Sequence, residues 1–158
     1  MNHTVGIADM KVSTSREDVL VTYSLGSCVG LTLYDPVACV GGMVHCMLPL
    51  STIDPVKAGN TPLMFTDTGV AATLQAVFNQ GAERKRLIAK VAGGSAIMDD
   101  KGVFRIGERN YIILRKMLWK NNILIAAEDV GGTVARTMVL HMDTGRTSIK
   151  SGGVEKEL

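Results

Sequence analysis

Residues 19–48 read VLVTYSLGSCVGLTLYDPVACVGGMVHCML, with apolar or β-branched runs at 19–23, 29–34 and 40–48. Each run has the length of a strand. Turn residues bound them, Leu25-Gly26-Ser27-Cys28 after the first and Asp35-Pro36 after the second. Proline sets its own φ, lacks a donor and pushes the residue before it away from helix, so a strand must end at Asp35. A similar run at 5–12 lies upstream, and the N-terminal third is expected to be a β-meander.

Residues 50–62 collect Ser51, Thr52, Asp54, Pro55, Gly59, Asn60 and Pro62 without an apolar period, which predicts a surface loop. Helical spacing begins at Asp67, a candidate N-cap, and continues through Val70, Leu74, Val77 and Phe78 until Gly81. A buried strand is expected at 87–91, ended by Gly93-Gly94. A second helix starts near Ile106; Ile112, Ile113, Lys116, Met117 and Lys120 give it an amphipathic face, and Asn121-Asn122 stops it. Runs at 123–127, 135–141 and 147–150 complete the strands. Residues 151–158, charged and Gly-containing, read as the frayed tail of a single domain spanning 1–158. Strands and helices are partly segregated, so the fold class is α+β and not a doubly wound parallel sheet.

Composition narrows the function. Apolar residues at 46% and charged residues at 20% belong to a globular chain. A net charge of +2, with Lys and Arg scattered, does not build the basic stripe of a nucleic-acid binder. The run Arg84-Lys85-Arg86 reads as a solvated face after a helix, with docking to an acidic partner as the alternative. Cys28, Cys39 and Cys46 are an odd number without CxxC spacing, and the N-terminus lacks a secretory pattern, which together suit a reducing cytoplasm. The most apolar stretch, 37–50, is interrupted and shorter than the roughly 18 residues of a membrane span, so no direct insertion is expected.

The chemistry-bearing residues lie in the opening stretch. Cys28 falls where a strand ends in a tight turn, beside backbone N–H groups that could stabilise a thiolate and hold an oxyanion. His45, seventeen residues on, could be brought near it by hairpin geometry. Taken alone, the pair is open to a plainer reading: a free cysteine is often a small core hydrophobe and a strand histidine a hydrogen-bonded structural group. Thr22 could bond a histidine ring nitrogen, although a strand threonine is usually only a β-former. Cys39 and Cys46 read as core filler, His3 and His141 as bystanders. A zinc site from Cys28, His45, Cys46 and His141 lacks any ligand pair with structural-zinc spacing. The pairs Gly41-Gly42, Gly93-Gly94 and Gly131-Gly132 fit no nucleotide-binding motif and are read as turns or close backbone approaches.

Five ordered blocks resemble the chemoreceptor glutamine deamidase family CheD: Leu25-Gly26-Ser27-Cys28-Val29, His45-Cys46-Met47-Leu48-Pro49, Lys90-Val91-Ala92-Gly93-Gly94, Ile106-Gly107-Glu108-Arg109-Asn110 and Asp129-Val130-Gly131-Gly132. The resemblance implies two packed mixed sheets flanked by helices, a four-layer α/β/β/α cysteine hydrolase fold of the cytotoxic-necrotizing-factor type. It implies Cys28 as nucleophile, His45 as general acid and base, Thr22 as the group orienting the histidine, and backbone N–H groups around Gly26 and Ser27 as the oxyanion site. The implied reaction converts glutamines of methyl-accepting chemoreceptors to glutamate through a cysteine thioester, releasing ammonia, with no metal or organic cofactor. A low-turnover receptor or CheC adaptor of the same fold, and a cysteine amidohydrolase on another substrate, are the alternatives. The family also implies docking to the phosphatase CheC, for which Phe104, in the segment 94–109, is a candidate anchor with a core position as its alternative. The chain departs from the family pattern after Gly131-Gly132, with Thr133-Val134-Ala135 before Arg136 where relatives show Asn, a residue, then Gly.

Overall fold

The structure is a computed structural model that describes residues 1–96 and 105–158. Among the described residues ten strands form two five-stranded sheets packed face to face. Strands β1 (Asn2–Thr4), β3 (Val19–Leu25), β8 (Arg136–His141), β9 (Thr147–Ser151) and β10 (Val154–Glu157) lie in that order in sheet one. Sheet two has the order β2 (Asp9–Ser13), β5 (Val40–Cys46), β4 (Val29–Asp35), β6 (Ile88–Gly93) and β7 (Ile125–Val130). Both sheets are mixed, because β1 runs parallel to β3 and β6 parallel to β7. The α+β expectation with two mixed sheets holds. Helices α2 (Thr66–Asn79) and α3 (Ile106–Lys120) both cover the outer face of sheet two, beside a short α1 (Pro55–Asn60). Among the described residues the layering is therefore helix, sheet, sheet, and the second outer helical layer is not formed.

Burial explains why the central runs are so apolar. Every residue of β4 and of β5 is buried, because sheet one covers one face of these strands and the helices cover the other. Val29, Leu31, Leu33, Val44 and Cys46 pack with Val70, Leu74, Val77, Leu114 and Leu118 of the helices. Tyr34, Met43 and Ala92 pack on the opposite face with Leu20, Leu25, Met138 and Leu140 of sheet one. By contrast β8 alternates buried and half-buried residues, as a strand with only one covered face should.

Three expectations need correction. The N-terminal third is not a meander: β1 and β3 enter sheet one while β2, β4 and β5 enter sheet two, so the chain crosses between sheets. Local sequence cannot show this, since either sheet offers an apolar face. Residues 50–62 carry helical turns, with Asp54 accepting from the Lys57 N–H as the cap of α1. The tail does not fray. Strand β10 pairs with β9, and the Lys90 ammonium donates to the Leu158 carbonyl at 2.7 Å.

A charged pair closes the far end of β4. Asp35 is fully buried and accepts from the Val37, Ala38 and Glu83 N–H groups and from the Arg86 guanidinium at 2.9–3.1 Å. Burial alone would raise its pKa, but Arg86 and the three N–H groups outweigh burial and hold the carboxyl well below the usual range. The basic run at 84–86 is thus largely structural, because Arg84 also lies over the Phe78 ring at 5.0 Å. Arg86→Ala would leave a buried carboxylate short of its countercharge and is expected to lower the midpoint of urea unfolding. Since the folded pKa is depressed, the stabilisation is present above the ordinary carboxylate pKa and is lost as pH falls below it. An Asp35→Asn variant should flatten stability against pH in that acidic window.

Candidate active site

Register decides which way His45 points. On the β4–β5 ladder Gly30 pairs with His45, and Met43, two residues earlier, sits in the core between the sheets. His45 shares that face by strand alternation and is fully buried. Facing it from sheet one is Thr22, whose Oγ1 lies 2.7 Å from His45 Nδ1. The same hydroxyl donates to the Val5 carbonyl at 2.8 Å. A hydroxyl has one proton, and a carbonyl can only accept, so Thr22 Oγ1 must accept from Nδ1–H. The tautomer is thereby set, and Nε2 carries the free lone pair. Among the described residues Nε2 has no hydrogen-bond partner.

Cys28 occupies the same inter-sheet face. It packs against the inter-sheet cluster and precedes Gly30, the ladder partner of His45, by two residues. It is half-buried, at the mouth of the space between the sheets. The turn before it is stapled: Gly26 O accepts from the Ser95 N–H at 2.9 Å and hydroxyl at 2.7 Å, Ser27 O from Asn110 Nδ2 at 2.9 Å, and Cys28 O from the Gly94 N–H at 2.9 Å. These contacts require close approach. A Cβ at Gly93, whose φ is +102°, would strike the Cys28 carbonyl oxygen, and one at Gly107 would strike the Ser95 carbonyl.

Burial pushes the Cys28 thiol up, partly offset by its own backbone N–H, and pushes the His45 imidazole down to about 4. Both shifts disfavour charge, so the resting pair is a neutral thiol beside a neutral imidazole.

A model of the family described as CheD chemotactic sensory transduction matches residues 47–151. A protein of Solibacter usitatus named "Probable chemoreceptor glutamine deamidase CheD" is 53% identical over 154 residues, 98% of this chain and 91% of that protein. One of Syntrophus aciditrophicus named "Probable chemoreceptor glutamine deamidase CheD 1" is 49% identical over 149 residues, 94% of this chain and 93% of its own length. The chain belongs to the CheD family. The crystal structure of the Bacillus licheniformis hypothetical protein YfiH superposes with a TM-score of 0.50 at 16% identity. It covers 77% of this chain, which spans about half (49%) of that one, and it supports the fold alone.

Within this CheD chain, Thr22 is hydrogen-bonded to His45 and Cys28 borders the same inter-sheet cluster, with Gly26 and Ser27 in the turn before it. Phe104 lies outside the described residues. Cys46 points to the helix face of β5, where burial, then Cys28 and Asp67, raise its thiol to about 12. Cys39 stands apart at the β4–β5 turn, and His3 Nε2 faces Asp18 at 3.2 Å. Thr133 and Ala135 are exposed, whereas Arg136 is buried and binds the Gly131 carbonyl at 2.9 Å. Asp67 does not cap α2; its carboxylate accepts from the Ser51 N–H and hydroxyl. Sequence reasoning missed the Val5 carbonyl, Ser95 and Asn110. Only Asn110 left a signal, a polar residue in register with Leu114 and Leu118 on the buried stripe of α3.

Thr22→Val keeps the volume but strands both Nδ1–H and the Val5 carbonyl, and is expected to cost roughly 2–3 kcal/mol in urea unfolding. His45 also makes folding pH-dependent. Its depressed pKa means its share of stability is complete above the unfolded value of 6.5 and drains away as pH falls toward about 4. His45→Gln should remove that slope.

Proposed function

We propose that this protein is a cysteine-dependent amidohydrolase that converts glutamine side chains of methyl-accepting chemoreceptors to glutamate, with release of ammonia. One observation carries the reading: Thr22 is hydrogen-bonded so as to leave His45 Nε2 unprotonated and unpartnered, on the face that holds Cys28. The near-full-length relatives bear names of chemoreceptor glutamine deamidases, which supports the substrate class.

The proposed chemistry starts from the neutral pair. Cys28 Sγ attacks the glutamine side-chain carbonyl carbon while its proton passes to His45 Nε2. The oxyanion is held by the backbone N–H groups of Ser27 and Cys28, since the Gly26 N–H already donates to the Ser24 carbonyl at 2.9 Å. As the intermediate collapses, the C–N bond breaks and the imidazolium returns its proton to the departing nitrogen, giving ammonia and a thioester. Water then attacks the thioester, losing its proton to Nε2. The C–S bond breaks, the thiol is restored and the product is glutamate. Thr22 keeps Nδ1 as the donor throughout and stabilises the transient imidazolium, as the third member of such triads does. Only side chains and backbone take part.

A charge gained at a receptor helix would alter signalling by that receptor, and docking of a CheC phosphatase over the same face would regulate the reaction by competing with it. The cytoplasm is the proposed location, where Cys28 stays reduced. No helix among the described residues is long and apolar enough to cross a membrane.

The deciding assay uses a glutamine-containing receptor fragment and follows ammonia and the mass change of deamidation. Wild type is expected to turn over and Cys28→Ala to be inactive; equal product from both would remove Cys28, and none from either would favour an adaptor. Because His45 must be neutral to accept the thiol proton, kcat/KM should persist below pH 6.5 and fall on an acid limb near pH 4. An acid limb centred at 6.5 would contradict the buried, neutral imidazole.

A further inference from the structure

The turn that carries Cys28 is held by side chains that the deamidase reading does not use. Asn110 is fully buried on the first turns of α3, and its single Nδ2 group donates at 2.9 Å to both the Ser27 and the Met47 carbonyls. The Thr66 hydroxyl spends its one proton on the Leu48 carbonyl at 3.0 Å and lies 3.4 Å from Asn110 Oδ1. Both hydrogens of the carboxamide are used, one on the cysteine turn and one on the end of the strand bearing His45. Ser95, 1% exposed, holds the preceding carbonyl, Gly26 O, with its N–H and its hydroxyl.

The consequence follows from peptide planarity. In a trans peptide the C=O and the following N–H point in opposite directions. Pinning Gly26 O on Ser95 therefore aims the Ser27 N–H away from Ser95. Pinning Ser27 O on Asn110 aims the Cys28 N–H away from α3. That N–H lies beside the Cys28 sulfur, where it lowers the thiol pKa against the effect of burial. Among the described residues neither N–H has an acceptor. Two consecutive N–H groups without acceptors among the described residues, the second of them beside the sulfur, are of the kind a tetrahedral oxyanion needs.

We infer that Asn110 and Ser95 are positioning residues for the oxyanion site, Asn110 orienting the Cys28 N–H and Ser95 the Ser27 N–H. The inference rests on the deamidase reading of Cys28 and His45. It makes α3 part of the active site without touching substrate: the helix is docked by Gly107 against Ser95, and the carboxamide one turn on transmits that docking to the cysteine turn.

Two reactions of the same sulfur separate this role from a merely structural one. Attack on an amide builds an oxyanion, whereas alkylation by iodoacetamide displaces iodide at a saturated carbon and builds none. Asn110→Leu and Asn110→Asp should lower kcat for the receptor fragment by about 10- to 100-fold, with KM within about twofold. Alkylation of the Cys28 peptide, followed by mass spectrometry on folded protein, should change by less than about threefold. Ser95→Ala keeps the backbone bond to Gly26 and should lose less, about 3- to 10-fold in kcat. Because it disturbs the fold least, it carries the test if Asn110 variants do not fold. In Asn110→Asp, protonation restores one donor, so its kcat relative to wild type should rise as pH falls. Unchanged kcat in folded Asn110 and Ser95 variants would overturn the inference, as would alkylation and deamidation falling in parallel, which would mean the sulfur itself had moved. A Cys28→Ala protein that still deamidates would instead sink the reading beneath it.

Discussion

The pairing of Gly30 with His45 on the β4–β5 ladder is the constraint on which the site depends. Side chains alternate across a strand, so a slip of one residue would turn His45 toward the helices and bring Cys46 into the space between the sheets. The slip is forbidden by burial on both faces. Val44 and Cys46 pack on α2 and α3, Met43 packs on sheet one, and exchanging the two sets would put an imidazole into a core of Val70, Leu74 and Leu118 with no partner. Hydrophobic packing thus sets the register, and the register aims the histidine.

Thr22 links the sheets at that point. Its hydroxyl donates to the Val5 carbonyl and accepts from His45, so a single short polar chain runs from the β1 segment through sheet one into sheet two. A buried hydroxyl with both roles filled has no freedom to rotate, and the imidazole it meets has no alternative tautomer. The neutral resting state follows from the same burial. Removing water raises the thiol and lowers the imidazole, so both groups rest uncharged.

The strands of the opening stretch were legible because β-branched and apolar runs bounded by Gly-Ser and Asp-Pro leave little choice of local structure. Both long helices were legible for the same reason, with Gly81 and Asn121-Asn122 at their ends. Illegible features shared one property, a partner far away in sequence. Asp67 has the chemistry of an N-cap, yet its carboxylate serves Ser51. Arg86 looks like one of three solvated cations, yet Asp35 in the core claims it. The tail looks too polar to order, yet β9 offers an edge and Lys90 a donor.

For the site, sequence alone determined the parts: a cysteine in a strand-ending turn, a threonine and a histidine in the strands before and beyond it, and a set of blocks specific enough to indicate the family. It determined the covalent order of these groups and their local conformation, since both depend on residues within a few positions of each. Tertiary structure decided what they do to one another. Which lone pair of His45 is free depends on a carbonyl at Val5, and which way the Ser27 and Cys28 N–H groups point depends on Ser95 and Asn110 respectively, 69 and 83 residues away from the carbonyls they hold. Such relations are set by the packing of two sheets and a helix, and no local pattern encodes them.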